Sequence, residues 1–119
     1  MGMTNVVLKL ANPARPGKKK AVTFLVDSGA VYSVVPENIL KSLGIAPTSE
    51  ETFFLANGEE IRRKRGNALF FFDAKEGAAP VIFGQKGDAS LLGVVTLESL
   101  GLALDPIHRR LLPLKLMLA

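Results

Sequence analysis

The sequence predicts an all-β fold, a closed barrel with one or two short helices and a hairpin. Along its 119 residues, short apolar runs alternate with turns rich in glycine, proline and asparagine. Frequent short strands of this kind are typical of β-barrels and sandwiches. Two such runs flank Asn57-Gly58, and Asn-Gly in that setting is the strongest short-range hairpin signal. Two other segments carry apolar residues at helical spacing and stop at a glycine, which predicts short helices.

Most of the chain is expected to form strands. Alternation and apolar content predict strands at residues 5–10, 21–26, 31–35, 68–72, 80–83, 102–104 and 110–118. The prolines and glycine of residues 12–17 predict a loop. The first arm of the hairpin is expected at residues 51–56, and the second begins at residue 59 and continues through the basic run to Gly66 and Asn67. Positive φ is tolerated at both Asn57 and Gly58.

Each half of the chain is expected to contain one short helix. The first follows Pro36 over residues 37–43 and ends at Gly44, and the second lies around residues 96–100 and ends at Gly101. Both are part of an internal echo, because Ser-Leu-Gly-Ile-Ala at 42–46 returns as Ser-Leu-Gly-Leu-Ala at 99–103. The chain is therefore expected to hold two related half-units, the first carrying Asp27-Ser28-Gly29-Ala30 and the second Leu91-Leu92-Gly93.

Length and composition narrow the class of protein. A chain of 119 residues is expected to form one domain, residues 1–119. The absence of cysteine excludes disulfides, thiolate zinc sites and cysteine nucleophiles, and no cluster of other residues has metal-ligand spacing, so we expect no metal and no cofactor. No apolar run is long enough for a membrane span, and the amino terminus lacks the pattern of a signal peptide. A cytoplasmic protein is therefore expected.

Three basic clusters account for the formal charge of +4, at residues 18–20, 62–65 and 108–110. Such clusters can bind phosphate backbones, and a basic nucleic-acid-binding barrel is one alternative. The phenylalanines lie in apolar runs rather than among the basic residues. We therefore interpret the clusters as solvated strand ends and turns, and nucleic acid is not the expected partner.

The stretch that carries chemistry runs from an apolar strand into Asp27, Ser28 and Gly29. A carboxylate at the end of such a strand is costly to bury unless hydrogen bonds or a shared proton compensate it. Gly29 allows the backbone to turn sharply. The simpler interpretation is an Asx-turn, in which the side chain of Asp27 caps its own turn.

Amide hydrolysis uses an acid and a base together, and two adjacent carboxylates that share one proton supply both. This chain contains a single Asp-Ser-Gly turn. A carboxylate pair would therefore have to form between two copies of the chain that meet at a two-fold axis, with each Asp27 facing its mate.

Three stretches in this order resemble the retroviral-type aspartic proteases, the retropepsins, and most of all their bacterial stand-alone relatives. They are Leu25-Val26-Asp27-Ser28-Gly29-Ala30 continuing to Ser33-Val34-Val35-Pro36, then Ala56-Asn57-Gly58, then Leu91-Leu92-Gly93 before a helix. The resemblance spans residues 5–113. It implies an acid-protease-type barrel that is active as a homodimer and hydrolyses peptide bonds in a peptide or protein substrate.

The resemblance also implies a role for each motif. Asp27 would be the acid and base of each protomer, Ser28 would make interlocking hydrogen bonds across the axis, and Gly29 and Ala30 would contact the substrate main chain. The hairpin at Ala56, Asn57 and Gly58 would be the flap. Leu91, Leu92 and Gly93 would pack beneath the active-site loop.

Two departures from the viral pattern concern the dimer. Val31 and Val94 stand where an acid and an arginine usually pair near the interface, which implies a weaker or differently built dimer. In the last strand Leu112, Leu114, Leu116 and Leu118 share one face. That strand either joins the dimer sheet, as the resemblance suggests, or folds back on its own barrel.

The sequence thus predicts a homodimeric aspartic endopeptidase. An apolar pocket preference is inferred from four residues beside the expected cleft, namely Val31, Val35, Phe53 and Phe54. The alternative is a non-catalytic dimeric barrel that binds peptide without cleaving it, although such a module has no need of a buried acid.

Overall fold

The computed structural model describes residues 3–115 and Leu118. It contains a seven-stranded sheet, a separate two-stranded sheet and two short helices. In chain order the elements are β1 (Asn5–Asn12), β2 (Arg15–Val26), β3 (Ser33–Pro36), α1 (Glu37–Ser42), β4 (Ser49–Phe54), β5 (Glu60–Phe72), β6 (Lys75–Gly84), β7 (Leu91–Leu92), α2 (Val94–Ser99), β8 (Leu102–Asp105) and β9 (Arg110–Pro113). The prediction of a mostly β chain with two short helices is confirmed.

The large sheet closes on itself. Its strand order is β1-β2-β7-β3-β6-β5-β4, and β1 also pairs with β5 through Lys9–Phe71, Leu10–Phe70 and Ala11–Leu69. Six strands therefore form a ring, and β4 is attached to β5 outside it. The ring encloses the apolar core, in which the rings of Phe24 and Phe70 lie 6.2 Å apart between centroids. Closure of this kind removes exposed sheet edges.

The two-residue strand β7 has a special place in this ring. It runs parallel to β2, with Leu25 opposite Leu91 and Val26 opposite Leu92. On its other side it pairs antiparallel with β3 through Val34 and Leu91. It therefore separates the two strands that flank the Asp27 loop, so residues 91–93 lie directly behind that loop.

The strands are longer than the sequence predicted. The loop expected at residues 12–17 is wrong: β1 continues to Asn12, and β2 already begins at Arg15. The side chain of Asn12 closes this tight turn, because its Oδ1 accepts a hydrogen bond from the Ala14 N–H (2.9 Å). Its Nδ2 donates to the carbonyls of Leu43 (3.2 Å) and Gly44 (3.0 Å). Pro13 lies in the turn as expected, but Pro16 and Gly17 lie within β2, beside an irregularity in the β1–β2 register at Ala11 and Asn12.

Other boundaries also move. The second arm of the hairpin and the strand expected at 68–72 are one strand, β5, and β6 begins at Lys75 rather than at residue 80. The charged residues and the glycine at 75–77 belong to β6, because pairing with β5 overrides their local preference for a turn. The third strand begins at Ser33 rather than at residue 31.

Both helices end at the predicted glycines. Gly44 has a φ of 75° and Gly101 a φ of 67°, the left-handed conformation that terminates helices. The helix predicted around residues 96–100 begins earlier, at Val94, so that it starts directly behind the Asp27 loop.

The carboxyl-terminal strand folds back within the chain. β9 pairs antiparallel with β8, from Leu102–Pro113 to Asp105–Arg110. The Leu114 N–H then donates to the Gly101 carbonyl (2.7 Å). The strand expected over 110–118 is thus seen for residues 110–113; residues 116, 117 and 119 lie outside the described part of the chain. None of the helices formed by the described residues has the length and apolar character to cross a membrane.

Candidate active site

The loop that carries Asp27 is held from behind by the segment from β7 into α2. The Asp27 N–H donates to the Leu92 carbonyl (3.0 Å), which continues the β2–β7 pairing by one residue. Further along, the Val94 N–H donates to the Ala30 carbonyl (2.9 Å) and the Val95 N–H to the Val31 carbonyl (3.0 Å). The predicted contact between the Asp-Ser-Gly-Ala turn and Leu91-Leu92-Gly93 is therefore present in the fold.

Gly93 is the point of closest approach between these segments. A β-carbon at this position would lie 2.6 Å from the carbonyl carbon of Tyr32 and 2.8 Å from the Val31 oxygen. Such distances do not occur for real side chains, so only glycine fits without displacing the loop.

A buried polar network fixes the same junction. The Gly93 N–H donates to Ser33 Oγ (3.0 Å), and Ser33 Oγ shares a hydrogen bond with Thr96 Oγ1 (2.5 Å). Ser33 and Thr96 are both fully buried. Buried polar groups that satisfy one another specify a unique arrangement. Sequence reasoning missed this pair, because Ser33 and Thr96 lie 63 residues apart and nothing local connects them.

The side chain of Asp27 is only partly buried, less than the sequence led us to expect. Its Oδ1 accepts a hydrogen bond from the Gly29 N–H (2.9 Å), while the Ala30 N–H donates to the Asp27 carbonyl (3.1 Å). The simpler interpretation, an Asx-turn, is therefore correct as a description of the loop. It is also compatible with chemistry, because the turn orients the carboxylate and engages one of its oxygens. Ser28 and Gly29 are exposed beside it.

A cleft of about 730 Å³ opens beside this loop. The cleft is lined by the Asp27 loop and β3, by the paired arms β4 and β5, by β6, and by the residues that lead into β7. Most lining side chains are apolar, and the set is Gly29, Ala30, Val31, Tyr32, Val34, Phe53, Ile61, Arg63, Ile82, Gly87, Asp88, Ala89 and Leu91. Concave apolar sites with a few polar groups are typical of ligand-binding clefts.

Two of the four apolar residues that the sequence placed beside the cleft do line it. Val31 and Phe53 line the cleft. Phe54 is 72% exposed, since alternate residues of a strand face opposite ways, and Val35 is fully buried in the core.

The predicted hairpin is present, with a different turn. β4 and β5 pair from Ser49–Arg65 to Phe54–Glu60. The Gly58 N–H donates to the Leu55 carbonyl (2.9 Å), and the Glu59 N–H donates to Asn57 Oδ1 (2.9 Å). Positive φ occurs at Gly58 (88°) but not at Asn57, so only one of the two turn positions uses the left-handed conformation. Ala56, Asn57 and Gly58 lie exposed at the tip, beyond the strand residues that line the cleft.

One wall of the cleft contains an ion pair that sequence reasoning missed. Arg63 on β5 holds Asp88 through two contacts, Nε to Oδ2 (2.7 Å) and Nη2 to Oδ1 (3.0 Å). The hydrogen bonds from Arg63 lower the pKa of the Asp88 carboxyl and outweigh the opposing effect of burial. The same pairing raises the pKa of Arg63. Asp88 lies 25 residues from Arg63 in sequence, so only the fold reveals the pair.

A second arginine of β5, Arg65, contacts the Asp27 loop through Tyr32. The guanidinium carbon of Arg65 lies 4.5 Å from the centroid of the Tyr32 ring, and Arg65 Nη1 donates to the Tyr32 hydroxyl (3.1 Å) and to Glu51 Oε1 (3.3 Å). On the opposite face, Arg62 pairs with Glu50 (2.9 Å). The interpretation of 62–65 as solvated residues is therefore wrong for Arg63 and Arg65, and ion pairing neutralises three of the four cations.

The described residues contain no group of three or more His, Cys, Asp or Glu side chains placed to hold a metal ion. His108, the one histidine of the chain, has its Nδ1 2.7 Å from Asp105 Oδ2 in the exposed turn between β8 and β9.

Comparison with known proteins decides the family. A model of a family described as aspartyl protease matches residues 13–96, more than half of the chain. The chain belongs to the aspartyl protease family. The matched residues include the Asp27 loop, the hairpin and Leu91-Leu92-Gly93, and the predicted family membership is confirmed.

A solved structure similar to this aspartyl protease supports the fold. The crystal structure of a retropepsin-like aspartic protease from Rickettsia conorii aligns with a TM-score of 0.53 and 22% sequence identity. The alignment covers 88% of this chain and 90% of that one. At this identity the likeness concerns the fold, which is retropepsin-like. No curated protein matches the sequence.

Proposed function

We propose that this aspartyl protease is an endopeptidase that works as a homodimer and activates water between two Asp27 carboxylates, one from each protomer. The observation that carries the proposal is the Asp27 loop, which β7 supports from behind and which borders an apolar cleft of about 730 Å³. Within the described residues, no second carboxylate is hydrogen-bonded to Asp27. The partner acid is therefore assigned to a second copy of the chain.

The chemistry follows from two carboxylates that share one proton. The ionised Asp27 takes a proton from water as the water attacks the scissile carbonyl, and the protonated mate donates its proton to the carbonyl oxygen. When the tetrahedral intermediate collapses, the C–N bond breaks and the first carboxyl gives its proton to the leaving nitrogen. The mate, now ionised, takes a proton from one hydroxyl as the carbonyl re-forms, so that one proton is again shared by the two carboxylates. No metal or cofactor enters these steps.

The loop geometry divides the remaining roles. The N–H groups of Gly29 and Ala30 already bind Asp27, and the Ala30 carbonyl accepts from Val94. We therefore assign main-chain contacts with substrate to the Gly29 carbonyl and apolar contacts to Ala30, which lines the cleft. Ser28 is exposed, which leaves its hydroxyl accessible for a hydrogen bond across the axis. The hairpin tip at Ala56, Asn57 and Gly58 acts as the flap.

The β8–β9 hairpin is our candidate for the dimer contact. As a two-stranded sheet it keeps free edges, and free edges invite pairing with another chain. Its exposed apolar side chains include Ile107 (84% exposed) and Leu112 (36% exposed). Pairing of β9 with β8 is compatible with a dimer sheet built from one hairpin of each protomer.

The test is peptide cleavage across pH with protein concentration varied, wild type beside Asp27→Asn. We expect cleavage that disappears in Asp27→Asn and that rises faster than linearly with concentration when dimers are scarce. Asp73→Asn is the matched control, because Asp73 lies exposed in the turn between β5 and β6. Its positive φ of 52° is one that asparagine tolerates.

Other results would point elsewhere. A folded dimer that binds peptides but cleaves none at any pH would contradict the proposal and favour a peptide-binding module. Activity that is strictly proportional to concentration down to the monomer would contradict the shared site. Arg62, Arg63 and Arg65 each form an ion pair with an acidic neighbour. These pairs argue against the alternative of a nucleic-acid-binding barrel, because they use the charges that would bind phosphates.

A further inference from the structure

Arg63 and Asp88 join two different walls of the cleft. Residues of β5 alternate between its faces, so Ile61 and Arg63 line the cleft while Arg62 faces solvent. Asp88 comes from the segment between β6 and β7. The ion pair therefore connects the arm of the hairpin to the segment that leads into the support of the Asp27 loop.

The charged groups of Arg63 and Asp88 are largely occupied by contacts within the protein. Its side chains are 19% and 25% exposed, and the guanidinium and carboxylate meet in the bidentate geometry that gives strong, directional contacts. Arg63 Nη1 donates to the Arg62 carbonyl (2.9 Å), and Asp88 Oδ2 also accepts from the Gln85 N–H (2.8 Å). Since both groups are already engaged, the pair offers substrate little unused charge and works instead as part of the wall.

The segment that contains Asp88 is short and leads directly into β7, behind the Asp27 loop. The Asp88 N–H donates to the Gln85 carbonyl (2.9 Å), which closes a turn over residues 85–88. Two residues beyond Asp88, the Ser90 carbonyl accepts from the Leu25 N–H (2.9 Å), immediately before the β2–β7 pairing. A displacement of this turn would therefore reach Ala89 and Leu91, which line the cleft.

We propose that Arg63 and Asp88 are positioning residues: their ion pair holds the flap arm against residues 85–89 and so forms the wall of the cleft before substrate binds. This inference rests on the proposed function. It assigns to the pair the preorganisation of the binding cleft rather than a part in the chemistry. Preorganised sites bind with less loss of conformational entropy.

If the Arg63–Asp88 pair positions the wall of the cleft, its loss should change KM much more than kcat. Without the pair, the wall must be ordered when substrate binds, whereas the Asp27 carboxylates are unchanged. We therefore expect KM to rise about fivefold to tenfold in Arg63→Met and in Asp88→Asn, with kcat kept within about twofold. The double variant should lose little more than either single one, because the two residues act through one contact.

Arg62→Met is the matched control. It removes the same charge from the neighbouring residue of the same strand, but Arg62 is 70% exposed and pairs with Glu50 outside the cleft. Exposed pairs contribute little, so KM should stay at the wild-type value. Arg63→Lys should recover only part of the wild-type KM, since an ammonium group cannot reproduce the bidentate contact.

A second readout does not depend on cleavage. Amide hydrogen exchange of the free protein should become faster in residues 85–89 and in the facing part of β5 for Arg63→Met and Asp88→Asn, but not for Arg62→Met. Equal exchange in Arg63→Met and Arg62→Met would overturn the inference. So would a fall in kcat with unchanged KM. If the wild type cleaves no peptide but Arg63→Met and Asp88→Asn still show faster exchange, the proposed function is contradicted while the link between the two walls is retained.

Discussion

A β-carbon on Gly93 would lie 2.6 Å from the carbonyl carbon of Tyr32. The junction between β7 and α2 therefore touches the Asp27 loop at a place where only glycine fits. The contact fixes how far Asp27 stands from β7, because the loop hydrogen bonds of Ala30 and Val31 follow directly from it. Gly93 was chosen from the sequence as a motif residue, and the structure supplies the physical reason for its identity.

Replacement of Gly93 by alanine should therefore displace the loop. We expect Gly93→Ala to lower the free energy of unfolding by about 1–3 kcal/mol, the usual cost of overpacking a tight interior. It should also abolish most peptidase activity. Gly17→Ala is the matched control, since nothing lies within 4 Å of the position of its β-carbon. Urea unfolding of both variants measures the difference, and equal stabilities would contradict the close contact.

The Ser33–Thr96 pair should be worth more than a surface hydrogen bond. Ser33→Ala leaves the Gly93 N–H and the Thr96 hydroxyl buried without their partner, so we expect a loss of about 1–3 kcal/mol in the free energy of unfolding. Thr96→Val should cost less, because Ser33 still accepts from Gly93. Thr23→Val, on an exposed face of β2, serves as the control. If it were as damaging as Ser33→Ala, the network would have no special role.

The hairpin should require glycine at position 58 because of the backbone conformation there, and not because a side chain would lack room. Its φ of 88° is strained for side chains with a β-carbon, yet nothing lies within 4 Å of that position. We expect Gly58→Val to raise KM and to destabilise the hairpin by about 1–2 kcal/mol. Asparagine tolerates positive φ better, so Gly58→Asn should keep more activity. Steady-state kinetics on the two variants checks the order, and a reversed order would contradict the turn geometry.

The pH dependence of stability should report the Arg63–Asp88 pair. Since Arg63 lowers the pKa of Asp88 in the folded state, the pair stabilises the protein fully above the ordinary aspartate pKa of about 3.9. This contribution is lost as the pH falls through the lowered pKa. The stability difference between wild type and Asp88→Asn should therefore shrink in strong acid.

Unfolding at fixed protein concentration over a series of pH values measures that difference. In an Arg63→Met background, Asp88→Asn should lose most of its pH-dependent effect, because the cause of the lowered pKa has been removed. A difference between wild type and Asp88→Asn that is constant across pH would contradict the pairing in solution.

The proposed dimer contact predicts a specific weak point. Leu112→Asp places a charge on the exposed face of β9, and it should raise the dimer dissociation constant while the fold is kept. Sedimentation equilibrium and the concentration dependence of activity measure the effect. Thr23→Asp is a control on an exposed strand far from this hairpin in sequence. Unchanged dimerisation in Leu112→Asp would move the interface away from β8–β9.

Features with local causes could be predicted from the amino-acid sequence alone. The Asp27-Ser28-Gly29 turn, the helix ends at Gly44 and Gly101 and the hairpin at Asn57-Gly58 each follow from the conformational needs of a few neighbouring residues. The motif order from Asp27 to Gly93 also sufficed to predict the family, because family motifs are read directly along the chain.

Features that depend on residues distant in the chain could be recognised only in the folded protein. The lengths of β1, β2 and β6 came from pairing with neighbouring strands, which overrode the local preferences of proline, glycine and charged residues. The burial of Ser33 against Thr96, 63 residues apart, and the pairing of Arg63 with Asp88 have no local signature. Such contacts form because the closed ring brings those strands together, and a hydrogen bond or ion pair depends on distance in space rather than in sequence.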